Sequence, residues 1–541
     1  MDFYYNQKRE FKSYAQRSVT MGNNGMVASS QPLATLSGYK ILAHGGNAVD
    51  AAVAMVSTLN VVEPHSAGLG GDAFALIYLA KQNKIVGMNG SGKSPRRANI
   101  SFFHEKGIKE IPSWGIFPVT VPGALHGWAE AVEKYGKLGL SEIFEDAINY
   151  AENGFPVTEV IAGEWKNSED ILLVQGNSGR PYLINGKAPG PGQIFRNQEL
   201  ARSYRKITRD GIGVFYGGEI GEAIVEFSRK HQGLFAREDL LHHATAWVEP
   251  ISSTYRGYTI YELPPNGQGL TALEMLNILE GYDMAGLGHN SPDYLHLLIE
   301  AKKIAFSDRD YFIADPEFEN IPLDILLSKE YAEQCRMKID HDKAKIRSGP
   351  FMRPRKSDTV YVSAVDQEGN AVSFITSIFM HFGSGMVVDK TGIVLQNRGF
   401  SFSLDPEHPN CLQPNKRPMH TIIPGMVFKD GNFLMSFGVM GGNFQPQGHT
   451  QFLMNLIDFN MNLQEAIDAP RISHEEGKEI FMEGGFSDKT ALALEEKGHE
   501  IIREDIPINH VGGGQAIYLD SGENVLLGAS DRRKDGCAIG Y

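Results

Sequence analysis

Cysteine is scarce in this chain: three residues in 541, at Cys335, Cys411 and Cys537. They lie far apart with no metal-ligand spacing, which argues against a disulfide framework and leans towards a reducing compartment. Long apolar runs are missing too; none reaches the ~18 residues that a membrane-spanning helix needs. The opening segment MDFYYNQKREFKSYAQRSVT lacks an apolar stretch of the secretory kind. The expectation is a cytoplasmic protein with no membrane partner. Positive charge is in deficit, 51 basic against 65 acidic residues for a net charge of -14, and there is no long basic block. Nucleic-acid binding therefore lacks its electrostatic footprint. Neither G-x-G-x-x-G nor a Walker pattern follows Gly68–Gly71, so these glycines read as a tight turn with close backbone approach. His242, His243 and His420 make no ligand cluster, and neither a metal nor an organic cofactor is expected.

What is present is ordinary globular composition, 42% hydrophobic and 21% charged. A strand at Met26–Ala28 leads to a helix from about Pro32 to His44. Asn47 then caps the helix NAVDAAVAMVSTLNVV. The strand AFALIYLA follows the glycines. From about 120 to 345 the pattern is mostly helical, interrupted by a strand pair near Trp247–Ile251 and Tyr258–Glu262. After Thr359 strands dominate again, with helices at about Thr450–Asn460, Asn462–Ala469 and Asp488–Lys497. A strand-rich start and finish around a helical middle suggests that the two ends build one shared sheet sandwich.

The most informative segment is Ser357-Asp358-Thr359-Val360-Tyr361-Val362-Ser363. A cut before Thr359 would leave a threonine at a new N-terminus, carrying a nucleophilic hydroxyl and a base, its own α-amine, on one residue. Val360–Asp366 and Ala371–Ile378 form a hairpin signal around Gln367-Glu368-Gly369-Asn370. Pairing Val365 with Ala371 and counting back two at a time sets Thr359 opposite Ser377, within hydrogen-bonding reach on one sheet face. A threonine opening a strand is commonplace alone. Three features raise its standing. Gly441-Gly442 lies between the strand FLMSFGV and a helix, where consecutive glycines either make a plain turn or aim backbone amides at an oxyanion. Asn415 to Thr421 sets polar side chains beside the apolar strand IIPGMVF. Arg398 sits in an apolar and small-residue stretch, where it could hold a substrate carboxylate.

At these residues the chain resembles the gamma-glutamyltransferase family of N-terminal nucleophile hydrolases. The likeness runs nearly end to end, through ILAHGGNAVDAAVAM, EPHSAGLGGDAF, TVPGALHGWAEAVEKYG, LPPNGQG, EAKKIAFSDRDYFIADP, DTVYVSAVDQEGNAVSFITS, PNKRP and GASDRRKDGCAIGY. It implies an α+β fold, the four-layer αββα sandwich, built jointly by a large fragment, 1–358, and a small one, 359–541. These form a heterodimer after autocatalytic cleavage between Asp358 and Thr359, with a higher oligomer left open. It implies Thr359 as nucleophile, Ser377 as its supporting hydroxyl, and Gly441 and Gly442 as oxyanion donors.

The substrate pocket departs from the transferase pattern. Ser91 stands where the family has its carboxylate-gripping arginine, and His420-Thr421 where it has a serine pair. Phe379 replaces an asparagine, and Ser401 replaces the aspartate that takes the substrate amine. The expectation is that Arg398, on the opposite wall, substitutes as the carboxylate partner. The chain is similar to the amidohydrolase branch of the family, which includes oxamate amidohydrolase and acylase-type members. The expected activity is cleavage of a small-molecule gamma-glutamyl-type or other carboxylate-bearing amide through an acyl-enzyme, resolved by water or an amine. The alternatives are an oxamate-type or acylase activity and, from another class, an unprocessed and inactive scaffold.

Overall fold

The computed structural model describes residues 15, 17–174, 178–345, 359–503 and 508–541. Asn47 opens the first long buried helix, Ala48–Val62: its side chain accepts from the amides of Val49 and Asp50, while Asp50 accepts from the amide of Asn47. All fifteen residues of this helix are buried. A helix apolar on every side belongs between other elements, and this one lies between a sheet and the helices Pro32–Ala43 and Glu145–Asn153.

Two seven-stranded antiparallel sheets form the centre. One runs, edge to edge, Cys537–Gly540, Met26–Ser29, Val360–Val365, Ala371–Ser377, Asp72–Leu79, Lys84–Gly90 and Ala246–Val248. The other runs Thr20–Gly22, Val525–Ser530, Gly514–Asp520, Asn432–Val439, Gly425–Lys429, Tyr258–Glu262 and Ile251–Tyr255. Segments from both sides of Thr359 enter both sheets, so neither sheet is complete from one side alone. Phe74, Tyr361, Ile375, Met426 and Ile517 fill the space between the sheets. The helices Gly269–Leu279, Pro292–Phe312 and Gln445–Ile457 cover the outer face of the second sheet. The layer order is αββα. Among the described residues no helix is long and apolar enough to cross a membrane.

The hairpin register agrees with the pattern argument: Val365 pairs with Ala371 and Val360 with Thr376, and the Asp366 amide donates to the Asn370 carbonyl at 3.0 Å. Two boundaries differ. The strand pair expected from Trp247 is split: Ala246–Val248 joins the first sheet, and only Ile251–Tyr255 pairs with Tyr258–Glu262. Pro250 separates them, because it has no amide to donate to a ladder. The helix expected from Thr450 begins at Gln445. Pro446 and Gly448 look like breakers in a sequence, yet a proline in a helix's first turn removes only an amide that lacks a partner anyway.

Candidate active site

Thr359 stands one residue ahead of its strand and is 1% exposed. Its hydroxyl donates to Ser377 Oγ at 3.3 Å. Two further donors converge on that oxygen, the Phe379 amide at 2.8 Å and Arg398 Nη2 at 3.4 Å. The Gly70-Gly71 turn lets other backbone come this close: a Cβ on Gly71 would lie 2.4 Å from the Ser377 carbonyl oxygen, and one on Gly70 1.9 Å from that of Val394. Phe379 holds φ of 78°, a left-handed conformation that strains a bulky residue by roughly 1–3 kcal/mol. Its amide bond to Ser377 and the Arg398 guanidinium, 3.9 Å above its ring, hold it there.

Arg398 is fully buried on the single helical turn Arg398–Ser401. Its neighbours pin that turn: the Gly399 amide donates to Pro118 O at 2.7 Å and Asn397 Nδ2 to Ser113 O at 2.7 Å. Nη1 donates to Thr421 Oγ1 at 2.8 Å, while Nε is buried with no hydrogen-bond partner among the described residues. Burial pushes the guanidinium pKa down to about 9, against the pull of Asp72. Asp72 itself is engaged elsewhere. One oxygen accepts from the Gly92 amide and Gln396 Nε2, both at 2.9 Å, and the other faces His420 Nε2 at 3.1 Å. The Ile422 amide approaches His420 Nδ1 at 3.3 Å, so Nε2 carries the hydrogen and donates to Asp72. Burial, with the Arg398 charge, lowers the His420 pKa to about 4, and the ring is neutral near pH 7.

Gly441 and Gly442 adopt φ of 125° and 58°. Only glycine enters these regions without strain. The turn feeds the N-terminus of the thirteen-residue helix Gln445–Ile457, whose dipole favours negative charge at that end. Gln268 Nε2 donates to Gly442 O at 2.9 Å and to Thr421 O at 2.7 Å, which ties the glycine turn to the Arg398 wall.

The profile of the gamma-glutamyltranspeptidase family matches residues 34–541. The chain belongs to that family. It is 40% identical over 528 residues to the glutathione hydrolase-like YwrD proenzyme of Bacillus subtilis (strain 168), covering 96% of this chain and 99% of that protein. It is 33% identical over 536 residues to the oxamate amidohydrolase proenzyme of Klebsiella pneumoniae subsp. pneumoniae, covering 97% of this chain and all of that protein, 100%. The crystal structure of cephalosporin acylase from Bacillus halodurans superposes with a TM-score of 0.92 at 42% identity over 99% of each chain. The fold is that of the N-terminal nucleophile hydrolases, and the protein is an enzyme of the family's amidohydrolase and acylase kind.

In this gamma-glutamyltranspeptidase relative, Thr359, Ser377, Phe379, Arg398 and Thr421 meet through direct contacts, and His420 joins them through its peptide bond to Thr421. Ser91 stands further back: its hydroxyl donates to Asn89 Oδ1 at 2.6 Å and accepts from Asn266 at 3.3 Å. Ser401 Oγ is buried with no hydrogen-bond partner among the described residues. It lines a cleft of about 680 Å³ with Lys109, Arg309, Phe402, His408 and Met419. Asp358 lies outside the described residues. Asp72 and Gln268 escaped the sequence reading. Their signal was a polar residue at the head of an apolar element, DAFALIYL for one and GLTALEMLNIL for the other. His296, Glu300 and His499, whose ligand atoms lie within 4.8 Å of one another, were also missed, because 199 residues separate Glu300 from His499. There the two imidazoles contact each other at 2.8 Å and the Lys303 ammonium already pairs with Glu300 at 2.7 Å.

Proposed function

We propose that the chain is a self-processing N-terminal threonine amidohydrolase whose substrate carries a carboxylate on its acyl part. In maturation Thr359 Oγ1 attacks the Asp358 carbonyl, the amide becomes an ester, and water releases fragments 1–358 and 359–541 as a heterodimer. In turnover the freed α-amine, with an ordinary pKa of about 7.7–8.0, takes the hydroxyl proton. The acyl group passes to Thr359, the amine leaves with that proton, and water resolves the ester. The Gly441 and Gly442 amides stabilise the oxyanion, Ser377 holds the nucleophile, and no metal or organic cofactor takes part.

The observation that carries this reading is the shared hydroxyl of Ser377, which Thr359 and Arg398 both contact. A nucleophile and a buried cation stand no more than two hydrogen bonds apart. A dicarboxylic acyl group of a few carbons bridges them, one carboxyl as the scissile amide and the other on Arg398. With Ser401 in place of a carboxylate, nothing in this wall calls for an α-amine. An acylase-type substrate would in addition place its leaving amine in the roughly 680 Å³ cleft beside Ser401, three residues along the chain from Arg398. The oxamate-type reading also satisfies Arg398 but leaves the cleft unused.

Thr359→Ala tests the core of the proposal. On a denaturing gel it stays one band near 59.7 kDa, while wild type resolves into two, and it releases no p-nitroaniline from glutaryl p-nitroanilide. A wild type that stays whole, or an active Thr359→Ala, would leave the scaffold reading or another nucleophile.

A further inference from the structure

The two glycines of the oxyanion turn raise a physical problem: consecutive glycines have the widest backbone freedom of any residues, yet oxyanion donors must be fixed before the reaction. Gly441 O is held locally, by the Phe444 amide at 3.0 Å. Gly442 O accepts locally from the Gln445 amide and, from outside the turn, from Gln268 Nε2 at 2.9 Å. A peptide group is planar, so the Gly441 carbonyl sets the direction of the Gly442 amide and the Gly442 carbonyl sets the plane that follows; holding both fixes the two soft dihedrals of Gly442 and keeps the turn from swinging.

Gln268 is itself fully engaged. It is 0% exposed, and its amide nitrogen serves Gly442 O and Thr421 O. Its Oε1 accepts from Arg309 Nη1 at 3.1 Å, and the same nitrogen reaches Asn443 Oδ1 at 3.1 Å. Arg309 is oriented by Asp310, to which Nε donates at 2.7 Å, and by Phe306, whose ring lies 4.1 Å away. With Arg309 on its oxygen, the Gln268 amide has one orientation: nitrogen towards the two carbonyls.

We propose that Gln268, oriented by Arg309, is a positioning residue that locks the Gly441-Gly442 turn in its oxyanion-binding geometry. This rests on the threonine-nucleophile reading above. Gln268 touches neither substrate nor nucleophile; it acts through the Gly442 carbonyl and, by its second bond, keeps the Thr421–Arg398 wall in register with the turn.

Gln268→Glu keeps the volume and replaces the donors by oxygen facing two carbonyls. The expected result is kcat on glutaryl p-nitroanilide lowered about 10-fold to 100-fold with KM within about twofold, because the loss falls on the transition state. A carboxylate-bearing alkylboronic acid, which adds the Thr359 hydroxyl to give a tetrahedral adduct, should lose affinity by the same factor. Glutarate, which resembles only the ground state, should bind as before. A merely structural role would weaken both ligands alike, and that outcome overturns the proposal. So does an unchanged kcat in Gln268→Glu when Thr359→Ala is inactive. An active Thr359→Ala instead fails the nucleophile reading itself. Should Gln268→Glu not fold or not process, Arg309→Lys carries the test: it leaves Gln268 in place and removes the fork that orients it. Its kcat should fall about 3-fold to 10-fold with the same selective loss of boronate affinity, and wild-type boronate affinity there refutes the relay.

Discussion

The proposed anchoring of a substrate carboxylate by Arg398 is separated from the other duties of this arginine by Arg398→Met assayed on two substrates. In the enzyme the guanidinium is buried, stacks 3.9 Å from the Phe379 ring, and donates to Ser377 and Thr421. Its Nε is buried without a hydrogen-bond partner among the described residues, and burial has pushed its pKa down to about 9. A substrate carboxylate would supply the missing counter-charge. Removing one side of a buried, hydrogen-bonded charge pair costs roughly 2–5 kcal/mol, and each 1.4 kcal/mol is tenfold. The kcat/KM for a glutaryl anilide should therefore fall about 10²-fold to 10³-fold. Because the variant also loses the bonds to Ser377 and Thr421, the informative quantity is a ratio. The acid substrate is compared with its methyl ester in both enzymes, as in a double-mutant cycle. Loss of the hydroxyl contacts affects both substrates, whereas loss of the anchor affects only the acid. Wild type should prefer the acid, and Arg398→Met should show almost no preference. Arg398→Lys should fall between, since an ammonium keeps the charge without the planar fork that stacks on Phe379. An acid-to-ester ratio unchanged in Arg398→Met would refute the anchoring role, however inactive the variant is.

Gly441→Ala places a side chain where φ is 125°; the turn must relax, and kcat should drop about 10²-fold, in the range for loss of one oxyanion donor. A near-wild-type kcat would show that the Gly441 amide stabilises nothing. The pH dependence of stability follows from His420, whose folded pKa of about 4 lies below the ordinary value of 6.5 through burial and the Arg398 charge. Between these values the unfolded chain binds a proton that the folded one does not. The contribution of His420 is thus complete above about pH 6.5 and is lost as pH falls towards 4, by about 1 kcal/mol per pH unit. The melting temperature of wild type relative to His420→Gln should decline steadily from pH 7 to 4.5, and a flat difference would contradict the neutral assignment of this ring.

Legibility in the sequence followed the range of the interactions. The Thr359–Ser377 contact could be counted, because a short loop fixes a hairpin's register and the residues are 18 apart. The Asn47 cap was legible for the same reason, its partners lying within three residues. Arg398 could be nominated from its apolar neighbours, but its stacking on Phe379 and its bond to Thr421 needed the folded chain. Asp72 and His420 are 348 residues apart, and Gln268 and Gly442 are 174 apart. No local pattern links them. The start of the helix at Gln445 was misread because its proline and glycine look like breakers outside their tertiary setting.

By itself, the sequence determined the elements, the hairpin that presents Thr359, the glycine pair that can adopt positive φ, and the family through its ordered motifs. These are local properties of residue type, spacing and backbone freedom. Tertiary structure alone decided which polar groups are buried together: Arg398 against Ser377, Asp72 against His420, and Gln268 between the glycine turn and Thr421. Such contacts arise where two sheets and two helical layers meet. There a charged or amide side chain has lost its water and is stable only where distant parts of the chain complete its hydrogen bonds.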